Sequence, residues 1–111
     1  MRLLITGGRE YADEATVRRI IELLNPTVII HGGAPGADYL AEKVGLALNI
    51  PRLEFKADWD KQGRAAGPLR NAKMIRESNP SLCVAFPGGR GTADCVSKCR
   101  KAGLPVLAVQ A

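Results

Sequence analysis

Five short apolar segments alternate along the chain with four amphipathic helical patterns, and this alternation limits the fold more than any other feature of the sequence. The apolar segments span residues 2–6, 27–33, 51–58, 81–86 and 104–109, and the helical patterns span residues 13–25, 36–50, 67–78 and 91–103. The apolar segments are continuous rather than alternating, as in strands that are buried on both faces. Strands that alternate with helices predict parallel βα units. We therefore expect an α/β fold, a three-layer α/β/α sandwich around a mainly parallel five-stranded sheet.

The length and charge of the chain limit its class. The 111 residues suit one domain over residues 1–111, and no apolar run approaches the roughly 20 residues that cross a bilayer. We expect a cytoplasmic protein, and its net charge of +5 favours an anionic partner such as a nucleotide or a nucleic acid. The three cysteines, Cys83, Cys95 and Cys99, are interpreted as small core residues, and no metal site is expected.

Three of the apolar segments end in glycine-rich turns. The turns contain Gly7 and Gly8 in TGGRE, Gly32 and Gly33 in HGGAPGAD, and Pro87, Gly88, Gly89, Gly91 and Thr92 in FPGGRGTAD. In a parallel sheet these turns share the carboxyl edge, where ligands of such folds bind. Each turn leads to a helix N-terminus, whose free amides and dipole attract phosphate, and glycine lets an anion approach the backbone. We expect a phosphate or nucleotide site here, with ordinary turn chemistry as the alternative.

Charged and aromatic side chains flank these turns. Arginine pairs with phosphate oxygens, an aspartate can accept from ribose hydroxyls, and the one tryptophan can stack on a base. The additional candidates for ligand binding are Arg9, Asp38, Trp59, Arg64, Arg70 and Asn71. Residues 56–67 show no regular pattern, so we expect a long functional loop that folds over the ligand. We expect a hydrogen-bonded structural role for His31, and we expect Arg90 to point to solvent or to a partner subunit.

Several blocks of the sequence resemble known families. ITGGREYAD, ADWDKQGRAAGPLRNAKMI and AFPGGRGTAD together resemble the YspA-type, cpYpsA-related branch of the SLOG superfamily, over about residues 3–109. PGGRGTADC is similar to the PGGxGTxxE signature of the Lonely Guy (LOG) phosphoribohydrolases. HGGAPGADYLAEKV is similar to a turn of the DNA-processing protein A (DprA) family. The resemblance implies a Rossmann-like fold and a nucleotide or nucleotide-derived ligand.

The resemblance to the LOG enzymes covers part of their site. The glycines and the threonine of PGGRGT match the phosphate turn, and Arg70 resembles a catalytic-site arginine. The LOG signature ends in a catalytic glutamate, where this chain has Cys95, and Asp94 lies one residue earlier. If the chain is a hydrolase, we expect Arg70 and Asp94 as its catalytic residues, with Asp38 as the alternative carboxylate.

Three functions remain, in order of preference. The first is a sensor or carrier domain that binds a nucleotide-type ligand without chemistry of its own and without a cofactor. An N-glycosidic nucleotide hydrolase is second, because the signature glutamate is missing. Single-stranded nucleic acid binding is third, because the chain has only one Trp, two Tyr and two Phe for base stacking. We also expect a homodimer, with the helical face around Val96 and Cys99 as a candidate surface.

Overall fold

Within residues 1–110, which the computed structural model describes, five strands form one parallel sheet. The strands are β1 (Arg2–Thr6), β2 (Val28–His31), β3 (Arg52–Glu54), β4 (Leu82–Ala85) and β5 (Val106–Ala108). Their order is β3-β2-β1-β4-β5, and every neighbouring pair is parallel. In the centre, Leu4 is in register with Ile30 on one side and with Cys83 on the other. The predicted α/β fold with a parallel five-stranded sheet is confirmed.

Helices cover both faces of this sheet. In the described part of the chain they are α1 (Glu14–Leu24), α2 (Ala37–Ala47), α3 (Trp59–Gln62), α4 (Ala66–Ser78) and α5 (Arg90–Lys101), with a 3₁₀ turn at Gly63–Ala65. Helices α1 and α2 pack on each other over one face, and α4 and α5 do so over the other. The architecture is therefore the predicted α/β/α sandwich.

Successive residues of the central strand β1 supply two separate cores. Leu3 and Ile5 pack under α1 and α2, whereas Leu4 packs under α4 and α5, and all three are fully buried. This is why the strand is a continuous apolar run rather than an alternating one. No helix within residues 1–110 is long and apolar enough to cross a membrane.

The cysteines lie in the core between the sheet and α5. Cys83, Cys95 and Cys99 are fully buried beside Leu4 and Met74. Their interpretation as core residues is confirmed. Cys99 is buried and therefore cannot contribute to the candidate association surface, whereas Val96 is half-buried.

The segment predicted as a long loop is mostly helical. Asp58 caps α3 by accepting a hydrogen bond from the amide of Lys61 at 3.2 Å, and the 3₁₀ turn leads directly into α4. A single helical turn is too short to produce an apolar periodicity, so the sequence pattern did not indicate it. Asp13 caps α1 in the same way, because its carboxylate accepts a hydrogen bond from the amide of Thr16 at 3.1 Å.

Candidate functional site

A cavity of about 980 Å³ opens at the carboxyl edge of the sheet, above the ends of β1 and β4. The chain order reverses between these two strands, which is where ligands bind in open parallel sheets. The predicted residues that line the cavity are Gly7, Gly8, Arg9, Asp38, Trp59, Arg64, Arg70, Asn71, Pro87, Gly88, Gly89, Gly91, Thr92 and Asp94. Of the predicted ligand-binding residues, Gly32 and Gly33 do not line it.

Five consecutive backbone amides, those of residues 88–92, point to no acceptor within residues 1–110. These residues lie just before α5 and in its first turn. The first helical hydrogen bond runs from the amide of Ala93 to the carbonyl of Gly89 at 3.0 Å. No side chain caps this helix, so Thr92 does not serve as its cap. Free amides at the positive end of a helix dipole form an anion-binding site.

The glycines of this turn fall into two kinds. A Cβ on Gly88 would lie 2.6 Å from the amide nitrogen of Gly8, so this position needs glycine for packing. A Cβ on Gly89 or on Gly91 would meet nothing within 4 Å, and neither residue has a positive φ. Packing therefore requires no glycine at Gly89 and Gly91, and both line the cavity.

The amides of the second glycine turn, unlike those of residues 88–92, are already bonded. Asp38 Oδ2 accepts from the amides of Gly32 at 3.1 Å and Ala34 at 3.3 Å. His31 Nδ1 accepts from the amide of Gly33 at 3.0 Å. This turn therefore orders Asp38 rather than presenting free amides.

The second carboxylate oxygen of Asp38 has no partner. Oδ1 is buried and accepts no hydrogen bond from the described residues, although the side chain lines the cavity. Asp38 is only 6% exposed, and this burial raises the pKa of its carboxyl against the opposing effects of the Ala34 amide and of the His31 and Arg70 side chains. A buried acceptor without a donor is costly, so a donor from a ligand would stabilise it.

Arg70 is anchored from α4 to the ends of two strands. Its Nη1 donates to the backbone carbonyls of Gly32 at 2.5 Å and of Phe55 at 3.4 Å, and its Nε donates to Asn71 Oδ1 at 2.9 Å. All of these acceptors are neutral. Within residues 1–110 the guanidinium forms no ion pair, although its charge acts on the Asp38 carboxyl.

Asp94, the predicted catalytic carboxylate, is already paired. Lys98 Nζ donates to its two oxygens at 2.6 and 2.7 Å, and Asn71 Nδ2 donates to Oδ2 at 3.0 Å. Burial opposes ionisation of Asp94, but these hydrogen bonds outweigh it and hold the pKa of the carboxyl below its usual value. Such a carboxylate ties α4 to α5 and is a weak base.

The other cavity arginines have no counterion. Arg9, Arg64 and Arg90 form no ion pair with any residue of the described range 1–110. Arg90 is exposed, as predicted, but it also lines the cavity mouth. Together with Arg70, these side chains make the cavity favourable for an anion.

Trp59 lies at the mouth of the cavity and is 54% exposed. A Cβ on Gly67 would lie 3.3 Å from its ring, so glycine at this position of α4 lets the indole lie against the helix. Tyr11, on the other side, packs on Phe86 with ring centroids 5.0 Å apart. A half-exposed indole at the mouth of the cavity is suited to stacking on a planar group.

One group of three potential metal ligands lies in the described part of the chain, away from the cavity lining. It consists of His31, Glu42 and Glu54, whose ligand atoms lie within 4.8 Å of one another. Because His31 Nδ1 accepts from the Gly33 amide, Nε2 carries the hydrogen and donates to Glu42 at 2.8 Å. Glu42 also accepts from Arg52 at 2.7 Å. These groups form a hydrogen-bonded chain behind the second turn, which agrees with the structural role predicted for His31.

Some lining residues were not predicted as ligand-binding residues. They are Ile5, Thr6, Glu10, Tyr11, Ala34, Gly67, Pro68, Met74 and Arg90. Glu10 and Tyr11 directly follow the first glycine turn, which was a usable signal. Met74 gave none, because its position in the apolar stripe of α4 indicates only core packing.

The chain is similar to a known protein family and to a phage protein. The family model described as "YspA, cpYpsA-related SLOG family" matches residues 1–62. The Gene 61 protein of Mycobacterium phage D29 is 38% identical over 118 residues, which cover 96% of this chain and 94% of that protein. The resemblance predicted from the glycine turns is therefore confirmed.

A solved structure shares the fold. DNA processing protein A (DprA) from Streptococcus pneumoniae superimposes with a TM-score of 0.75 at 16% sequence identity. The match covers 99% of this chain and 50% of that chain, so the present chain spans half the length of DprA. This likeness confirms the Rossmann-like architecture.

Proposed function

The chain belongs to the YspA, cpYpsA-related SLOG family, and on this premise we propose that it binds a nucleotide or nucleotide-derived phosphorylated ligand as a sensor or carrier domain. The observation that carries the proposal is the run of free amides at residues 88–92, at the start of α5 and inside the cavity. Gly89 and Gly91 support it, because the fold itself does not require glycine there.

The proposed ligand extends from α5 across the cavity. Its phosphate lies on the amides of residues 88–92, with the charge of Arg70 nearby. A ribose hydroxyl donates to the unpartnered Oδ1 of Asp38, which supplies the donor that this buried oxygen lacks. The base reaches Trp59 at the cavity mouth and stacks on its exposed indole.

Binding without chemistry is favoured over hydrolysis of an N-glycosidic bond. Hydrolysis needs a free carboxylate near the anomeric carbon. Asp94 is held by Lys98 and Asn71, and Cys95 is fully buried where the LOG signature has glutamate. Asp38 is the carboxylate that a hydrolytic alternative would use, since it lines the cavity and its Oδ1 accepts no hydrogen bond from the described residues.

The proposal also includes location and assembly. We place the protein in the cytoplasm, where nucleotides are abundant, and we expect a homodimer. The large apolar side chains Leu23 on α1 and Tyr39 and Leu46 on α2 are 77%, 62% and 61% exposed. They offer an association surface on the layer opposite to α5. Light scattering during size-exclusion chromatography tests the dimer, and a monomer at all concentrations would contradict it.

The ligand is identified by mass spectrometry of small molecules released from the purified, denatured protein. The measurement is repeated after incubation with a panel of nucleotides. Recovery of an intact nucleotide supports the binding function, whereas a free base and a ribose phosphate support the hydrolase. Failure of every phosphorylated compound to bind would contradict the proposal.

A further inference from the structure

The net charge of the chain resides in one layer of the sandwich. Helices α4 and α5 together contain seven Lys or Arg and two Asp or Glu, a net charge of +5. Helices α1 and α2 together contain three Lys or Arg and four Asp or Glu, a net charge of −1. The whole chain carries +5, so one face of the molecule accounts for its basic character.

The two helical layers also differ in how their charges are paired. On the α1/α2 layer, Arg18 pairs with Glu22 and Lys43 pairs with Glu14. On α4 and α5, Lys73, Arg90, Arg100 and Lys101 are exposed and form no ion pair within residues 1–110. We call these four side chains the basic face. Their charge is free to interact with an external anion.

The basic face is better suited to binding phosphates than to binding a protein. The exposed residues of α5 between Arg90 and Arg100 are small and let a polymer backbone approach the helix; they are Gly91, Ala93 and Ser97. Leu69 is the one large apolar side chain exposed on α4 and α5. Protein interfaces are anchored by buried aromatic and apolar side chains, which this surface lacks.

We propose that the basic face binds the phosphodiester backbone of double-stranded nucleic acid without reading its sequence. Along α5 the face extends from Arg90 to Lys101, about 16 Å, which spans about five base pairs of a duplex. No aromatic side chain on this face is available for stacking, so a duplex fits better than an unstacked single strand. The face begins at Arg90, at the mouth of the cavity, but it does not depend on the ligand proposed there.

The test measures fluorescence anisotropy of a labelled DNA duplex of about 20 base pairs, several times longer than the face, in about 50 and 200 mM NaCl. Four phosphate contacts predict that affinity falls about 150-fold between these salt concentrations. In the triple variant Lys73→Gln, Arg100→Gln, Lys101→Gln, one contact remains and the fall is about fourfold. The duplex also binds more tightly than a single strand of equal length.

A matched control separates the face from the overall charge. The triple variant Arg18→Gln, Arg19→Gln, Lys43→Gln has the same net charge, but its changes lie at exposed positions of the α1/α2 layer. It keeps the salt dependence of the wild type. Equal losses in the two variants, absence of duplex binding by the wild type, or tighter binding of the single strand would overturn the proposal. Equal binding of poly-L-glutamate would also overturn it, in favour of an acidic protein partner.

The same variants keep this test distinct from the proposed nucleotide site. Lys73, Arg100 and Lys101 do not line the cavity, so nucleotide affinity of the first variant is expected to match the wild type. Circular dichroism confirms that each variant folds. Loss of duplex binding with intact nucleotide binding supports the basic face, and the reverse result overturns it while leaving the cavity proposal standing.

Discussion

Arg70 donates from its guanidinium to the backbone carbonyl of Gly32 at 2.5 Å, which ties helix α4 to the end of β2. Gly32 in turn has no space for a side chain, because a Cβ there would meet the Arg70 guanidinium. Gly32 thus contributes to the cavity indirectly, by seating an arginine that lines it. Gly32 in the second glycine turn therefore positions Arg70 of α4 without lining the cavity itself.

Replacing Arg70 with lysine is expected to weaken both the fold and the site. Lysine keeps the charge but cannot reproduce the planar fork that reaches Gly32 and Asn71, so stability falls by about 1–2 kcal/mol. Nucleotide affinity falls as well, by about tenfold, equivalent to 1.4 kcal/mol. Urea denaturation and titration calorimetry measure the two effects. The matched change Arg64→Lys, on an exposed side chain without ion pairs, leaves stability unchanged; an equal loss there would contradict the anchoring role.

Replacing Gly91 with alanine is expected to move stability and affinity in opposite directions. Alanine is a better helix former than glycine, and its Cβ meets nothing within 4 Å. The free energy of unfolding therefore rises by about 0.5–1 kcal/mol. The added methyl group narrows the approach to the amides, so phosphate-dependent binding weakens. Thermal unfolding and calorimetry check both signs. Gly88→Ala serves as the contrast, since a Cβ at that position would collide with Gly8 and destabilise the fold.

Replacing Asp38 with asparagine is expected to stabilise the ligand-free protein at neutral pH. Asparagine keeps one oxygen for the amides of Gly32 and Ala34 and removes a buried charge. Burial raises the pKa of Asp38 on folding, so the ionised wild type loses stability as pH rises from the unfolded pKa of about 4 through the folded value.

The gain in the free energy of unfolding of Asp38→Asn over the wild type is therefore absent below about pH 4. It is complete above the raised pKa of Asp38 in the folded protein. Urea denaturation over a series of pH values measures it. A constant difference at every pH would contradict the assignment of the effect to ionisation. Affinity for a nucleotide falls in the variant, because the acceptor for the ribose hydroxyl is lost.

Replacing Asp94 with asparagine is expected to affect the fold more than the ligand. The pKa of Asp94 is lowered on folding, so its ionised form stabilises the protein above the unfolded pKa, and this contribution disappears as pH falls through the folded value. At neutral pH the loss is about 1 kcal/mol, and Lys98→Gln causes a similar loss that is not additive with it. Nucleotide affinity stays within about threefold, less than 1 kcal/mol. If Asp94→Asn lost nucleotide binding completely, or lost a hydrolytic activity that the wild type has, Asp94 would be a functional residue of the site.

The parallel sheet and the edge that holds the cavity followed from the sequence, because the alternation of strands with helices and the glycine turns are local patterns. The glycines after β1 and β4 meet because these two strands are neighbours at the reversal of strand order. The pairing of Asp94 with Lys98 was also readable, since residues four apart share a helix face.

Other features depend on distances that no local pattern encodes. The bonds from Asp38 to Gly32 and Ala34 depend on how tightly the second turn folds back on its own helix. Whether Gly89 or Gly88 is required for packing depends on the position of Gly8, eighty residues away in sequence. Sequence reasoning therefore found the turn but could not divide its glycines into structural and ligand-facing ones.

The most direct test compares the affinity of nucleosides with that of their 5′-monophosphates, in the wild type and in Gly89→Ala. For the base that the wild type binds best, calorimetry is expected to show at least about tenfold higher affinity for the 5′-monophosphate than for the nucleoside, equivalent to 1.4 kcal/mol. In Gly89→Ala, which folds normally because its Cβ meets nothing within 4 Å, the preference collapses while nucleoside affinity is kept. An unchanged preference in the folded variant would contradict the claim that the amides of residues 88–92 hold the phosphate.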